Sequence, residues 1–181
     1  MMSITEDQIY HICELLDNYK PKSILELGAG VSSQIFIDYS NENNAQFLNI
    51  ENANEWLTSH SIKCDLKEYS TYRIDDILFD HVNYYEGLIN AIKDRKYDFV
   101  FVDGPKGYET CYTYTRIQLL EIIPYLSDNC IVMIHDTERE SSKRILEMFE
   151  KKIIKDYTFN KIDEHLPYKN MTEYQIKRRS N

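Results

Sequence analysis

Glycine and proline are scarce in this chain, five and four among 181 residues, too few for a collagen-like or linker-dominated protein. Cysteine is as sparse. Cys13, Cys64, Cys111 and Cys130 stand far apart with no C-x-x-C pair, which argues against a disulfide framework or a metal knuckle. No apolar run approaches the roughly 18 residues needed to cross a bilayer, and the first residues lack the basic-then-apolar layout of a signal peptide, so a reduced, cytoplasmic setting without membrane contact is expected. Basic residues are outnumbered: 21 Lys and Arg against 30 Asp and Glu leave a formal charge of −9, which disfavours a broad footprint on nucleic acid. What the chain does have is 43% hydrophobic and 13% aromatic residues. That is enough to build a core, and the length suits one domain over 1–181.

The pattern along the chain alternates strand and helix. Thr5-Glu6-Asp7-Gln8 has the T-x-x-Q form of a capping box, and Ile9, Ile12, Cys13 and Leu16 follow at helical spacing until Pro21. Ser23 to Leu27 is a short apolar strand that stops at Gly28, with a helix expected from about Ser32 to Tyr39. Further strands are expected at Ala45 to Ile50, Ile62 to Tyr69, Tyr97 to Val102 and Cys130 to Ile134. Helices are expected at Asn52 to Ser59, Tyr84 to Lys93, Thr113 to Tyr125 and Glu138 to Lys151. The tail turns β-leaning, with Ile153 to Ile162 and Thr172 to Arg179 predicted as an antiparallel pair around Pro167. Lys177, Arg178 and Arg179 read as a solvated chain end. The alternation predicts an α/β fold with a doubly wound, mostly parallel sheet, whose ligands sit beyond the carboxyl ends of the strands.

Four polar clusters lie where strands give out: Glu26 to Ser33, Glu51, Asp103 to Tyr108, and His135 to Thr137. Gly28 and Gly30 allow a tight turn and a close approach of backbone to ligand, and the following helix offers free amides. A dinucleotide site would call for a third glycine where Ser33 stands, and it does not call for the acid Glu26 two residues ahead of the first. A carboxylate there suits a ligand with a positively charged amino acid end. Glu51 closes the second strand at the place from which an acid accepts hydrogen bonds from a ribose diol.

With these residues in view, the sequence resembles the class I S-adenosylmethionine-dependent methyltransferases. Their first motif, E/D-x-G-x-G, is matched by Glu26-Leu27-Gly28-Ala29-Gly30, and their second-strand acid by Glu51. The resemblance covers nearly the whole chain and implies a seven-stranded, Rossmann-like sheet of five parallel strands followed by the antiparallel pair. It further implies cofactor contacts from Glu26, Gly28, Ala29, Gly30, Ser32, Ser33, Glu51 and Asn52. Trp56 or Tyr69 would flank the adenine, although core packing explains an aromatic residue equally well.

Two subfamilies share the later clusters. The catechol and caffeoyl-type O-methyltransferases carry D-x-x-K after the fourth strand and D-N after the fifth, with a divalent ion on the acids. Asp103, Lys106 and Asp136 match, while Thr137 stands where the pattern has Asn. The glucuronoxylan 4-O-methyltransferase group is similar through V-D-x-P-x-G-Y, here Val102 to Tyr108, and through the pair His135-Asp136. These resemblances imply catalytic roles for Asp103, Lys106, His135 and Asp136, and a metal set of Asp103, His135 and Asp136 if an ion is used. Bland alternatives stand beside them: Asp103 as a turn cap, Lys106 as a solvated charge, His135 as a residue that only orients Asp136. The expected function is methyl transfer to the hydroxyl of a small acceptor, such as a sugar or polyol derivative. Tyr108, Tyr112 and Tyr114 are candidate stacking faces. The competing readings are an oxidoreductase-like nucleotide module and a silent interaction protein.

Overall fold

The computed structural model describes residues 4–106, 113–162 and 170–180. It opens with α1 (Glu6–Tyr19), started by the expected capping box. The Thr5 hydroxyl accepts from the Gln8 N–H at 3.3 Å, and Gln8 Oε1 accepts from the Thr5 N–H at 2.8 Å. β1 (Ser23–Leu27) follows Pro21, then α2 (Val31–Asn43), β2 (Gln46–Glu51) and the short edge strand β3 (Ser61–Lys63). β4 (Leu66–Ile74) and β5 (Ile77–Tyr85) form a separate antiparallel hairpin. The chain continues through α3 (Leu88–Ile92), β6 (Tyr97–Val102), α4 (Leu119–Ile122), β7 (Leu126–His135), α5 (Glu140–Ile153), β8 (Tyr157–Ile162) and β9 (Met171–Arg178).

Seven strands form one sheet in the order β3-β2-β1-β6-β7-β9-β8. The first five are mutually parallel, and β9 runs antiparallel to both β7 and β8. This is the doubly wound, mostly parallel Rossmann-like sheet with a C-terminal antiparallel pair that was expected. Strand order reverses between β1 and β6, the place where such sheets open a crevice. Register matters more than order for the site. Leu27 pairs with Val102, and Val102 with Ile134, so Gly28, Asp103 and His135 emerge side by side.

Side-chain alternation sorts the core into two layers. On β6, Phe99 and Phe101 face α1 and α2 while Val100 and Val102 face the other side. Phe36 of α2 meets Phe47, Phe99 and Phe101 at 5.7, 5.7 and 5.8 Å between ring centroids. All of these are buried, and removing one such ring from a packed layer costs about 3–5 kcal/mol.

Several local expectations need correction. The helix expected at Asn52 to Ser59 is a single 3-10 turn, Asn54–Trp56, because Glu51 caps the first amides itself. The third strand is split: β3 pairs with β2, and the remainder belongs to the hairpin. The helices expected at Tyr84 to Lys93 and Thr113 to Tyr125 shrink to α3 and to α4 with a 3-10 turn at Ile123–Tyr125, since Tyr84 and Tyr85 complete β5. The basic tail is not merely solvated. Arg178 lies 4.9 Å over the Tyr157 ring and donates to its hydroxyl at 2.7 Å, and Arg179 bonds the Tyr157 carbonyl. Cys13, Cys64 and Cys130 are free thiols, while Cys111, Tyr108 and Tyr112 lie outside the described residues. Among the described residues no helix is long and apolar enough to cross a membrane.

Candidate active site

The glycine turn and the loop after β6 are in direct backbone contact. Gly28 adopts φ +90, and a Cβ built on it would lie 2.6 Å from the Gly104 nitrogen. The N–H groups of Asp103 and Gly104 both donate to the Leu27 carbonyl, at 2.9 and 2.6 Å. Neither glycine can carry a side chain without moving the other loop. A Cβ on Gly104 would also strike the Tyr85 hydroxyl.

Glu26 lies beneath this turn with no exposed surface. Ser32 and Ser33, at the start of α2, donate to its two oxygens at 2.5 and 2.7 Å, and Asn49 donates at 3.0 Å. Ser33 accepts in turn from the Gly30 N–H at 3.0 Å. Burial raises the Glu26 pKa to about 8; the serine and asparagine hydrogen bonds oppose the shift and the charge of Asp103 adds to it. Both of its oxygens are thus tied to the start of α2 and to β2.

Glu51 does the same at the end of β2. Its carboxylate accepts the amides of Ala29, Asn52 and Ala53 at 2.7, 2.6 and 2.7 Å, drawing the glycine turn to the second strand. Trp56 sits just beyond and is 53% exposed. Tyr69 instead packs among the hairpin rings, 5.2 Å from Tyr72 and 6.0 Å from Tyr84. Of the two aromatics considered for the adenine, Trp56 is the one left with an open face.

The ends of β6 and β7 bring Asp103, His135 and Asp136 together. His135 Nδ1 lies 2.9 Å from Asp103 Oδ1 and 3.5 Å from Asp136 Oδ1. Asp136 has left-handed φ 60, a conformation that an aspartate tolerates and that turns its carboxylate back toward the strand end. Burial works against a charged imidazole, but the hydrogen bond and charge of Asp103 and the charge of Asp136 outweigh it, so the His135 pKa lies above its ordinary value. The three side chains offer ligand atoms within 4.8 Å of one another. Two hard carboxylate oxygens and a borderline imidazole suit a divalent cation in kind.

Arg116, which the sequence reading overlooked, is the cation in this cluster. It is 3% exposed. Its Nη2 lies 3.3 Å from Asp103 Oδ1 and 3.1 Å from Asp136 Oδ2, its Nη1 donates to the Pro105 carbonyl at 3.0 Å, and its Nε reaches the His135 carbonyl at 3.4 Å. Arg139 adds a second guanidinium 2.8 Å from Asp136 Oδ2. Two carboxylates thus face two guanidiniums. Lys106, by contrast, is exposed; the structure ties down its carbonyl, which accepts from Asn83 at 3.0 Å. Tyr85 is a second residue missed in sequence: its buried hydroxyl has no hydrogen-bond partner among the described residues and lies against Gly104.

A sheet of this order with an E-x-G-x-G turn at its crossover can be compared with known proteins. The model of the methyltransferase domain family matches residues 25–137, more than half of the chain. The chain belongs to that family. The expectation of an S-adenosylmethionine-dependent methyltransferase is met by the family and the fold together, and the oxidoreductase reading falls away. Solved structures support the fold. The SAH-bound methyltransferase PaMTH1 of Podospora anserina aligns over 99% of this chain and 80% of its own, with 13% identity and a TM-score of 0.58. A Staphylococcus aureus protein described as a caffeoyl-CoA O-methyltransferase aligns over 97% and 85%, with 17% identity and a TM-score of 0.59. The cmcI-D160 Mg-SAM complex aligns over 99% and 74%, with 11% identity and a TM-score of 0.56. No curated protein matches in sequence.

A groove of about 760 Å³, lined by residues including Tyr19, Asp98, Ser127 and Lys177, lies at the amino ends of β6 and β7. It is remote from this chemistry. A recess of about 360 Å³ beside Asp136, lined by residues including Thr137, Lys143, Lys161 and Thr172, adjoins the cluster.

Proposed function

We propose that this methyltransferase transfers the methyl group of S-adenosylmethionine to a hydroxyl of a small acceptor, such as a sugar or polyol derivative. The observation that carries this reading is the contact between the glycine turn and the Asp103 loop. It puts a donor held by Gly28, Ala29, Gly30 and Glu51 against the carboxylates of Asp103 and Asp136. Methyl transfer from a sulfonium is an in-line displacement, so alignment and removal of the acceptor proton are the protein's main tasks.

In this reading Ala29, Gly30 and Asn52, their amides held by Glu51 and Ser33, form the wall against which the cofactor lies, Glu51 takes the ribose hydroxyls, Trp56 covers the adenine, and the Tyr85 hydroxyl finds its partner on the bound donor. Ser32, Ser33 and Glu26 hold the turn in shape. The His135 and Arg116 bonds to Asp103 both fall on Oδ1, which leaves Oδ2 to receive the acceptor proton. Lys106 closes the pocket from its exposed loop, and the polar recess beside Asp136 offers hydrogen bonds to further hydroxyls. A divalent ion, where one is used, would be held by Asp103 and Asp136 and would lower the pKa of the acceptor hydroxyl. The cmcI complex, a neighbour in fold, holds both Mg and SAM.

A panel assay with radiolabelled donor tests the proposal. Sugars and phenols are expected to be labelled, while transfer confined to tRNA, DNA or protein would overturn the small-acceptor reading.

A further inference from the structure

An unbroken chain of side-chain hydrogen bonds runs from the first turn of α1 to the reaction centre. Gln8 Oε1 accepts from the Thr5 N–H at 2.8 Å; Gln8 Nε2 donates to Asn170 Oδ1 at 2.9 Å; Asn170 Nδ2 lies 3.2 Å from His135 Nε2; and His135 Nδ1 lies 2.9 Å from Asp103 Oδ1. Gln8 is fully buried and His135 is 1% exposed. Asn170 is held from its other side, where its carbonyl accepts the Thr137 N–H at 3.1 Å.

The polarity of this chain is forced at each link. A backbone N–H can only donate, so the Gln8 amide must turn its oxygen to Thr5 and its NH2 to Asn170. Asn170 must then present oxygen to Gln8 and NH2 to His135. An NH2 facing a ring nitrogen requires that nitrogen to accept, which leaves the imidazole proton on Nδ1, pointed at a carboxylate that can only accept. Both ends of the chain demand the same tautomer. A histidine set as a metal ligand through Nδ1 would need the reverse arrangement, with Nε2–H donated to a carbonyl or carboxylate.

We propose that Gln8 and Asn170 are positioning residues for the reaction centre: they hold His135 as the Nδ1–H tautomer, so that it orients Asp103 as a hydrogen-bond donor and serves neither as proton acceptor nor as metal ligand. The proton's place rests on hydrogen-bond geometry alone. Its value to turnover rests on the methyl-transfer reading above.

The two parts are tested separately. Long-range 1H–15N correlation spectra of the uniformly labelled protein, without donor or acceptor, report which nitrogen of each imidazole carries hydrogen, and His135→Phe assigns the signals. Recorded at alkaline pH, where the imidazole is neutral, the expected pattern for His135 is a protonated Nδ1 and a bare Nε2; a bare Nδ1, or protons on both nitrogens there, overturns the proposal whether or not methyl transfer is ever observed.

Gln8→Glu then inverts the chain while keeping the helix cap, because glutamate at this position still accepts the Thr5 N–H. It offers Asn170 an acceptor instead of a donor, which turns the Asn170 oxygen toward Nε2 and draws a proton there. The expected result is a new Nε2–H signal at a lowered melting temperature, because an unpaired carboxylate replaces an amide at a fully buried position. With it should come a fall in kcat of about 10- to 100-fold at unaltered KM for the methyl donor. Wild-type kcat in a Gln8→Glu protein that shows the Nε2–H signal would overturn the positioning role, and absence of that signal at any pH would overturn the hydrogen-bond chain itself.

Discussion

Two networks of carboxylates lie on either side of one backbone contact, and they are solvated in opposite ways. Glu26 is surrounded by neutral donors, Ser32, Ser33 and Asn49, and burial lifts its pKa to about 8. Asp103 and Asp136, one loop away, are met by Arg116 and Arg139. Neutral donors satisfy the oxygens without supplying countercharge; guanidiniums supply both. In the proposed mechanism Asp103 takes a proton from the acceptor and has to arrive charged, whereas a carboxyl group that only holds a turn can be protonated without loss.

The largest effect that would sharpen this contrast is on turnover. Asp103→Asn keeps the shape and removes the proton acceptor, and should lower kcat by about 10²- to 10⁴-fold while calorimetry finds donor affinity intact. Near-normal turnover would mean that Asp103 caps its turn and does no more. Removal of Arg116 should come next. Arg116→Met leaves Asp136, at 9% exposure, with Arg139 as its remaining guanidinium, and the expected loss in denaturant unfolding is about 3–5 kcal/mol.

Gly104→Ala probes the contact between the two networks. Its Cβ would meet Gly28 and Tyr85, at an expected cost of about 1–3 kcal/mol. It should also weaken donor binding measured by titration.

The smallest effect on turnover is expected at Glu26. Glu26→Gln should match the wild type in stability below about pH 4.5, where the group is neutral folded and unfolded, and should be the more stable protein by neutral pH, because the amide has no proton to take up on folding. Its signature is in the pH dependence. The folded pKa, about 8, exceeds the ordinary 4.5, so the folded state holds the proton more tightly than the unfolded chain. That contribution to stability is complete below about pH 4.5 and is lost as pH rises through 8. The variant should lack this decline. An equal decline in both proteins would place the responsible group elsewhere.

How far the sequence reveals this arrangement differs from element to element. β1, β6 and β7 are apolar runs ended abruptly by Gly28, Asp103 and Asp136, and strands buried on both faces have that appearance. The start of α1 was equally legible, because a capping box is local. The β4–β5 hairpin was not. Its two-residue turn is Asp75-Asp76, without the glycine that marks most such turns, and its half-exposed strands show no clean alternation. Arg116 was hidden for another reason: a lone arginine ahead of an apolar run carries no motif, and its partners lie 13 and 20 residues away.

The sequence by itself determined which strands form, where each stops, and therefore that Gly28, Glu51, Asp103 and His135 share one edge of a sheet, because strand burial and termination are properties of short runs. Tertiary structure alone decided which way each polar group turns. Glu26 faces inward, Arg116 reaches into the acid cluster, and Gln8 acts on His135 through Asn170, 162 residues further along the chain. In a buried site a polar group must take whatever partner packing brings within about 3 Å, and that partner is set by the meeting of distant segments.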